Sequence, residues 1–302
     1  MLNLKKLPFK PLIILCLLAF LLSACTNGGS HDPSEALPED IMSSSPSPAE
    51  PTPTLVVAAA VVNGERIPLD LFENEVERFV TAQDSMGTTD VDLGTAREIV
   101  LNSLIDQVLF AQAAQDSGVI ITDEDVQERL DMLEEGTDLA AWMDTWGYTA
   151  MDLFEMLKLQ MLAAYQRDLI VDSVPMSADQ VELRQILAFT KDGANRANNL
   201  LEAGTPFEDV ASEYDRRGTS GYLGWVPRGY LLIMAVEVAA FNLEVGAYSE
   251  IIESDVGYHI VMVLDRDERP LSKDARMALQ RSALRDWITE RRENSHIEVL
   301  VD

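Results

Sequence analysis

Two fragments combine glycine, apolar side chains and one group that titrates near neutrality: Gly221-Tyr222-Leu223-Gly224-Trp225-Val226-Pro227-Arg228-Gly229 and Gly257-Tyr258-His259-Ile260-Val261. Each reads as a short strand whose glycines let backbone approach backbone, with a polar side chain left off the pleat. Together they would rim a small apolar pocket, and His259 would bring to it a side chain able to change charge near pH 7. A histidine on a strand is also commonly a satisfied structural residue, and both readings stand. The chain has three histidines, His31, His259 and His296. They are too scattered for a histidine-rich metal site, and neither a metal nor another cofactor is expected.

The elements that must hold these fragments precede and separate them. Residues 184–189 read as a strand, 195–203 and 207–214 as helices, and Ser177 with Gln180 as a capping box. With Glu182-Leu183-Arg184-Gln185-Ile186-Leu187 before them and Ala239-Ala240-Phe241-Asn242-Leu243-Glu244-Val245-Gly246 between them, the two fragments resemble the parvulin family of peptidyl-prolyl isomerases. The strand, helix, helix, strand, helix, strand, strand order is the same. The resemblance implies a four-stranded antiparallel sheet with surrounding helices. It also implies a polar cluster of Gln185, Asp215, His259 and Ser254, and an apolar slot for a proline ring lined by Leu223, Leu231, Val236 and Phe241. Gln185 stands where the family usually carries a histidine.

The implied reaction breaks no bond. Prolyl cis/trans exchange faces a barrier of about 20 kcal/mol because the twisted amide loses its resonance. Each ~1.36 kcal/mol of preference for the twisted state is worth tenfold in rate. No proton is transferred, so Gln185, which donates and accepts hydrogen bonds but does not titrate, is compatible with catalysis. It is equally compatible with a module that has lost activity and serves a non-catalytic holdase as a binding platform. Arg216 and Arg217 would favour acidic residues beside the client's proline, or are simply exposed arginines of a solvated loop.

Residues 1–24 read as an export signal, with Lys5, Lys6 and Lys10 ahead of an apolar run too short to span a bilayer. Leu22-Ser23-Ala24-Cys25 resembles a bacterial lipobox, which implies that Cys25 carries lipid and ties the protein to the outer side of the cell membrane. Cys16 lies in the signal, so no internal disulfide is expected. Residues 25–54, rich in proline, serine and threonine, read as a tether able to reach roughly 90 Å. The formal net charge of −28 argues against nucleic acid as a partner.

The rest reads as α+β. Leu55 to Val62 is a strand-like run meeting the turn Asn63-Gly64. Helical spacing follows at Leu69, Phe72, Val76, Phe79 and Val80, then over 93–116 with Ile99, Val100, Leu104, Ile105, Val108 and Leu109 on one side. Thr122 with Asp125, Asp138, and Thr149 with Asp152 open three more helices. Val-Asn-Gly-Glu-Arg-Ile at 62–67, Leu104-Ile105-Asp106-Gln107 and the junction at 118–126 resemble the N-terminal chaperone region of the SurA and PrsA extracytoplasmic foldases. Trp142, Met143, Trp146, Tyr148, Met151, Met156 and Met161 would line a groove for clients or form ordinary core.

The expected organisation is therefore a helical chaperone domain over 55–176, a parvulin-like domain over 177–268, and a C-terminal helix and strand over 269–302 packing back on the first. The expected clients are unfolded or partly folded exported proteins, and the oligomeric state stays open, a dimer included. A solute-binding lipoprotein would share the signal and tether but would require parallel sheets.

Overall fold

Asn63 and Gly64 turn the chain back on itself with φ of 53° and 90°, the left-handed pair that a tight hairpin requires. The computed structural model describes residues 57–88, 91–215 and 218–301. The export signal, Cys25, His31, the tether, Arg216 and Arg217 lie outside the described residues. In chain order the elements are β1 (Ala58–Val62), β2 (Glu65–Pro68), α1 (Leu69–Ser85), α2 (Leu93–Asp116), α3 (Asp123–Glu134), α4 (Leu139–Trp146), α5 (Ala150–Asp172) and β3 (Ser177–Ala188). There follow α6 (Lys191–Glu202), α7 (Phe207–Tyr214), β4 (Tyr222–Pro227), α8 (Met234–Asn242), β5 (Ile252–Ser254), β6 (Gly257–Pro270), α9 (Lys273–Glu293) and β7 (Ile297–Val299). The fold is α+β, and the strand pairings among the described residues are antiparallel. That is not the parallel architecture of a solute-binding lipoprotein. No helix among the described residues is long and apolar enough to cross a membrane.

The chain divides into two compact units: residues up to Gln166 together with Arg291 onward, and Arg167–Glu290. In the first, the sheet order is β2-β1-β7, so the apolar β1 is central and its Ala59, Ala60 and Val62 are fully buried. Asn63 N donates to His296 O and Asn63 Oδ1 accepts from His296 N, both at 2.8 Å. Arg292 donates to Asp106 and Asn102, and Arg291 to Asp116 on α2. Thr122 and Asp125 exchange both capping-box hydrogen bonds at α3, and Thr149 and Asp152 do the same at α5. On α2 Val100, Leu104, Ile105, Val108 and Leu109 are buried. Ile99, one position off that stripe, is 43% exposed.

Trp142, Met143, Met156 and Met161 pack against the buried Val126, Leu139, Leu153 and Leu157. Most of the aromatic and methionine set is therefore core, while Met151 is exposed. Trp142 stacks on Tyr148, and Tyr148 Oη donates to the buried Glu75 at 2.8 Å. Arg78, also buried, donates to Glu75 at 2.8 Å and to the carbonyls of Trp146 and Gly147, with its guanidinium 3.5 Å from the Tyr148 ring centre. This cluster fixes α1 to the turn between α4 and α5.

In the second unit the sheet order is β4-β3-β6-β5. One face carries α8, and the other carries α6 and α7. Ser177 opens β3, not a capped helix. Val181 and Leu183 are buried at period 2, and Gln180 Nε2 donates to the carbonyls of Arg269 and Pro270 across the sheet. Alternating burial thus overrides the local Ser-x-x-Gln signal. Most of α9 groups with this unit, while its last turn and β7 belong to the first.

Glu75→Ala would strand the buried Arg78 guanidinium without its carboxylate. It is expected to cost the first unit about 3 kcal/mol, and Tyr148→Phe about 1 kcal/mol. Urea titration read on the first unit checks both; unchanged midpoints would show that the cluster contributes nothing to stability.

Candidate active site

Side-chain parity places the site. Across the β3–β6 ladder Leu183 pairs with Val263, Gln185 with Val261 and Leu187 with His259. These six residues therefore share one face of the sheet. The same face carries a buried cluster of Val181, Leu183, Val226, Val236, Ala240, Phe241, Val261 and Val263, with the half-buried Leu231 and Ile252 against it. Ile252 of β5 is the cross-strand partner of His259. The opposite face holds Ile186 and Ile260 against Ala197, Leu201, Phe207 and Val210.

His259 is 1% exposed. Its Nε2 lies 2.7 Å from Ser254 Oγ, which also donates to Gly257 O at 3.2 Å and accepts from Val256 N at 3.3 Å. Nε2 and the hydroxyl share one hydrogen bond, whose donor is set by the imidazole tautomer. Nδ1 is buried with no hydrogen-bond partner among the described residues. Desolvation holds the imidazole below its ordinary pKa, so at neutral pH it is the uncharged form that occupies the site.

Gln185 and Asp215 meet through Gly221. Gln185 N donates to Gly221 O at 2.8 Å, and Gly221 N donates to Asp215 Oδ2 at 3.1 Å. The same oxygen accepts from Thr219 N at 2.6 Å and Thr219 Oγ1 at 2.8 Å, so Asp215 closes its own loop. Gly221 has φ +71°, and a Cβ there would stand 2.0 Å from Gln185 O. Gly257 is equally constrained, with φ +140° and Ala188 O 2.6 Å from where its Cβ would be.

The structure brings His259 together with Ser254, and Leu231 with Val236 and Phe241. Leu223 is exposed and so not buried with them. The β3–β4 register runs Leu183↔Gly224 and then Arg184↔Tyr222, so Leu223 is the bulged residue, 42% exposed and outside the buried cluster. Two site residues escaped the sequence reading. Arg228 lays its guanidinium 4.0 Å from the Phe241 ring centre, and Glu237 is buried beside Val236. A lone acid in the apolar run 234–241 was the available signal for Glu237, because a buried carboxylate needs donors. Arg228 gave none.

Gly221→Ala is expected to destabilise the second unit by at least about 2 kcal/mol, since backbone must move to admit the methyl; urea titration decides. The histidine adds a pH dependence. In the unfolded chain it titrates near 6.5, and in the folded chain lower, so on acidification the unfolded chain takes the proton first. Stability is expected to be complete above pH 6.5 and to fall as pH drops from there toward the folded value. His259→Gln should flatten that decline, and an identical pH profile for both proteins would exclude it.

Comparison with known proteins matches residues 56–141 to a SurA-like N-terminal domain and residues 179–265 to a PPIC-type PPIASE domain. The Foldase protein PrsA of Caldanaerobacter subterraneus subsp. tengcongensis is 28% identical over 228 residues, 67% of this chain and 71% of that one. The Foldase protein PrsA of Halalkalibacterium halodurans is 30% identical over 231 residues, 68% of this chain and 66% of that one. This chain thus spans about two thirds of the length of these curated relatives. A crystal structure of the peptidylprolyl isomerase PrsA from Bacillus anthracis superimposes with a TM-score of 0.44 at 17% identity, over 64% of this chain and 94% of that one.

Proposed function

We propose that this chain, which belongs to the proteins joining a SurA-like N-terminal domain to a PPIC-type PPIASE domain, is an extracytoplasmic foldase that holds unfolded exported polypeptides and isomerises their X-Pro bonds. In this reading Cys25 carries the lipid that anchors it to the membrane, residues 55–176 hold the client together with the last turn of α9 and β7, and residues 177–268 act on its prolines. The observation that carries the reading is the uncharged, buried His259 on the same sheet face as the Leu231, Val236 and Phe241 cluster. Val236 and Phe241 form the floor of the proline slot, the half-buried Leu231 its rim, and Leu223 an outer contact.

The chemistry asks little beyond this. Twisting an X-Pro amide removes its resonance, which lowers its dipole and leaves a lone pair on nitrogen. Apolar walls therefore favour the twisted state over either planar one, and a neutral imidazole and a serine hydroxyl at the edge offer hydrogen bonds without a charge. Gln185, two pairs along the ladder from Leu187 and His259 and so the next pair on the same face, adds an amide that donates or accepts as the carbonyl swings.

A second reading, the holdase with an inactive module, is favoured by one observation. Val236 and Phe241 are 2% and 4% exposed, packed as tightly as ordinary core. A protease-coupled prolyl peptide assay on the chain from Thr26 onward separates the two. The wild type is expected to exceed the uncatalysed rate, with His259→Ala slower by about tenfold and Asp215→Ala reduced less. If wild type and both variants all run at the uncatalysed rate, the holdase reading stands instead.

A further inference from the structure

Glu237 sits in the first turn of α8, one residue past Val236, and is 7% exposed. Its carboxylate faces back toward the segment that leads into its own helix. Gly229 N donates to both oxygens, each at 2.9 Å, and Leu231 N donates to Oε2 at 3.2 Å. Gly229 adopts φ +80°, which turns its N–H and that of Leu231 to converge on one anion, as successive amides do in a backbone nest. Residues 228–233 form neither strand nor helix, and Leu232 is fully exposed. The shape of this segment therefore depends on what its amides bind.

Two site features hang from it. Leu231, whose own N–H is held, packs on the Val236 and Phe241 cluster. Arg228, next to the held Gly229, stacks on Phe241 at 4.0 Å. The helix that supplies the carboxylate also supplies Val236 and Phe241.

We infer that Glu237 is a positioning residue of the prolyl site: its buried carboxylate clamps the Gly229 and Leu231 amides and so sets Leu231 and Arg228 against Val236 and Phe241. This rests on the isomerase reading above. The carboxylate touches no substrate; it acts through the segment that does. A clamp of this kind predicts loss of substrate affinity with the turnover step largely kept, whereas simple volume filling predicts that an apolar residue of the same length will serve as well.

The experiment compares Glu237→Met, which keeps length and bulk but accepts nothing, with Glu237→Gln, which keeps one acceptor oxygen. KM and kcat for a short X-Pro peptide are measured on the chain from Thr26, alongside amide hydrogen exchange. Glu237→Met is expected to raise KM about tenfold with kcat within about threefold, and Glu237→Gln to fall between it and the wild type. The Gly229 and Leu231 amides should exchange faster in Glu237→Met while those of β3 and β6 keep their protection. Wild-type KM with protected Gly229 and Leu231 amides in Glu237→Met overturns the clamp. So does a loss of β3 and β6 protection equal to that of the segment, since that marks general destabilisation. If Glu237→Met does not fold, the same readouts on Glu237→Gln decide. A wild type without activity overturns the isomerase reading separately; amide exchange and peptide-induced shifts of the Leu231 methyls then still support or reject the clamp.

Discussion

The second unit depends on the register of one long antiparallel ladder, the pairing of β3 with β6 from Ser177↔Pro270 to Ala188↔Tyr258. Side chains alternate along a strand, so register decides which chemistry meets which layer of helix. As built, His259, Val261 and Val263 face α8, while Ile260 faces α6 and α7. A slip of one residue would exchange the two sets and carry the imidazole to the wrong side of the sheet. Hydrophobic burial resists that slip on both faces at once, because each already holds a filled cluster.

The ladder is also pinned at the end where the site lies. Gly221 and Gly257 each bring an α-carbon against a carbonyl of β3, Gln185 O and Ala188 O, at distances no side chain could occupy. Gly221 lies between Gln185 and Asp215, and Gly257 O holds the hydroxyl that bonds His259. The close approaches that fix register are thus the ones that position the polar groups. In the first unit a different constraint governs. Its sheet is completed by a strand from the far end of the chain, and the loop entropy of that closure is met by backbone pairing of β1 with β7 and by Arg291 and Arg292 on α2. Burial pushes the Asp106 carboxyl up even with Arg292 beside it, so much of that pair's attraction offsets desolvation.

What was legible in the sequence follows the range of the interactions. The hairpin at Asn63-Gly64, the caps at Thr122, Asp138 and Thr149, and the helix over 93–116 rest on contacts within a few residues, and each appears in the structure. The cap expected at Ser177 is the same kind of signal, defeated because the neighbouring Val181 and Leu183 bury at period 2. The pairing of β7 with β1 has no local signature, since nothing near Ile297 names a partner more than two hundred residues away. In the candidate site, His259 with Ser254 and Leu231 with Val236 and Phe241 are found together, because each set lies on paired strands or on one helix and the turn before it. Leu223 is exposed at a register irregularity in β4, which depends on how two strands settle together and has no signature in the sequence. Arg228 and Glu237 gained their places from the backbone of a segment without regular structure, where sequence periodicity says nothing.

On the proposed isomerase reading, Gln185 in place of the histidine that the resemblance implies carries weight only if the reaction needs a proton to move. Isomerisation about an imide bond changes geometry and dipole and leaves every proton where it was. On that reading the site must supply an environment better matched to the bent amide than to the flat one. Burial already keeps His259 uncharged, so a second titrating ring at position 185 would add a pH-dependent charge in a place where the twisted state gains from its absence. An amide side chain offers the same donor and acceptor directions with a fixed charge of zero. Selection at such a site would act on where the hydrogen-bonding atoms stand relative to the apolar floor, and therefore on Gly221, Gly257 and the β3–β6 register, more than on the acid-base character of any one residue.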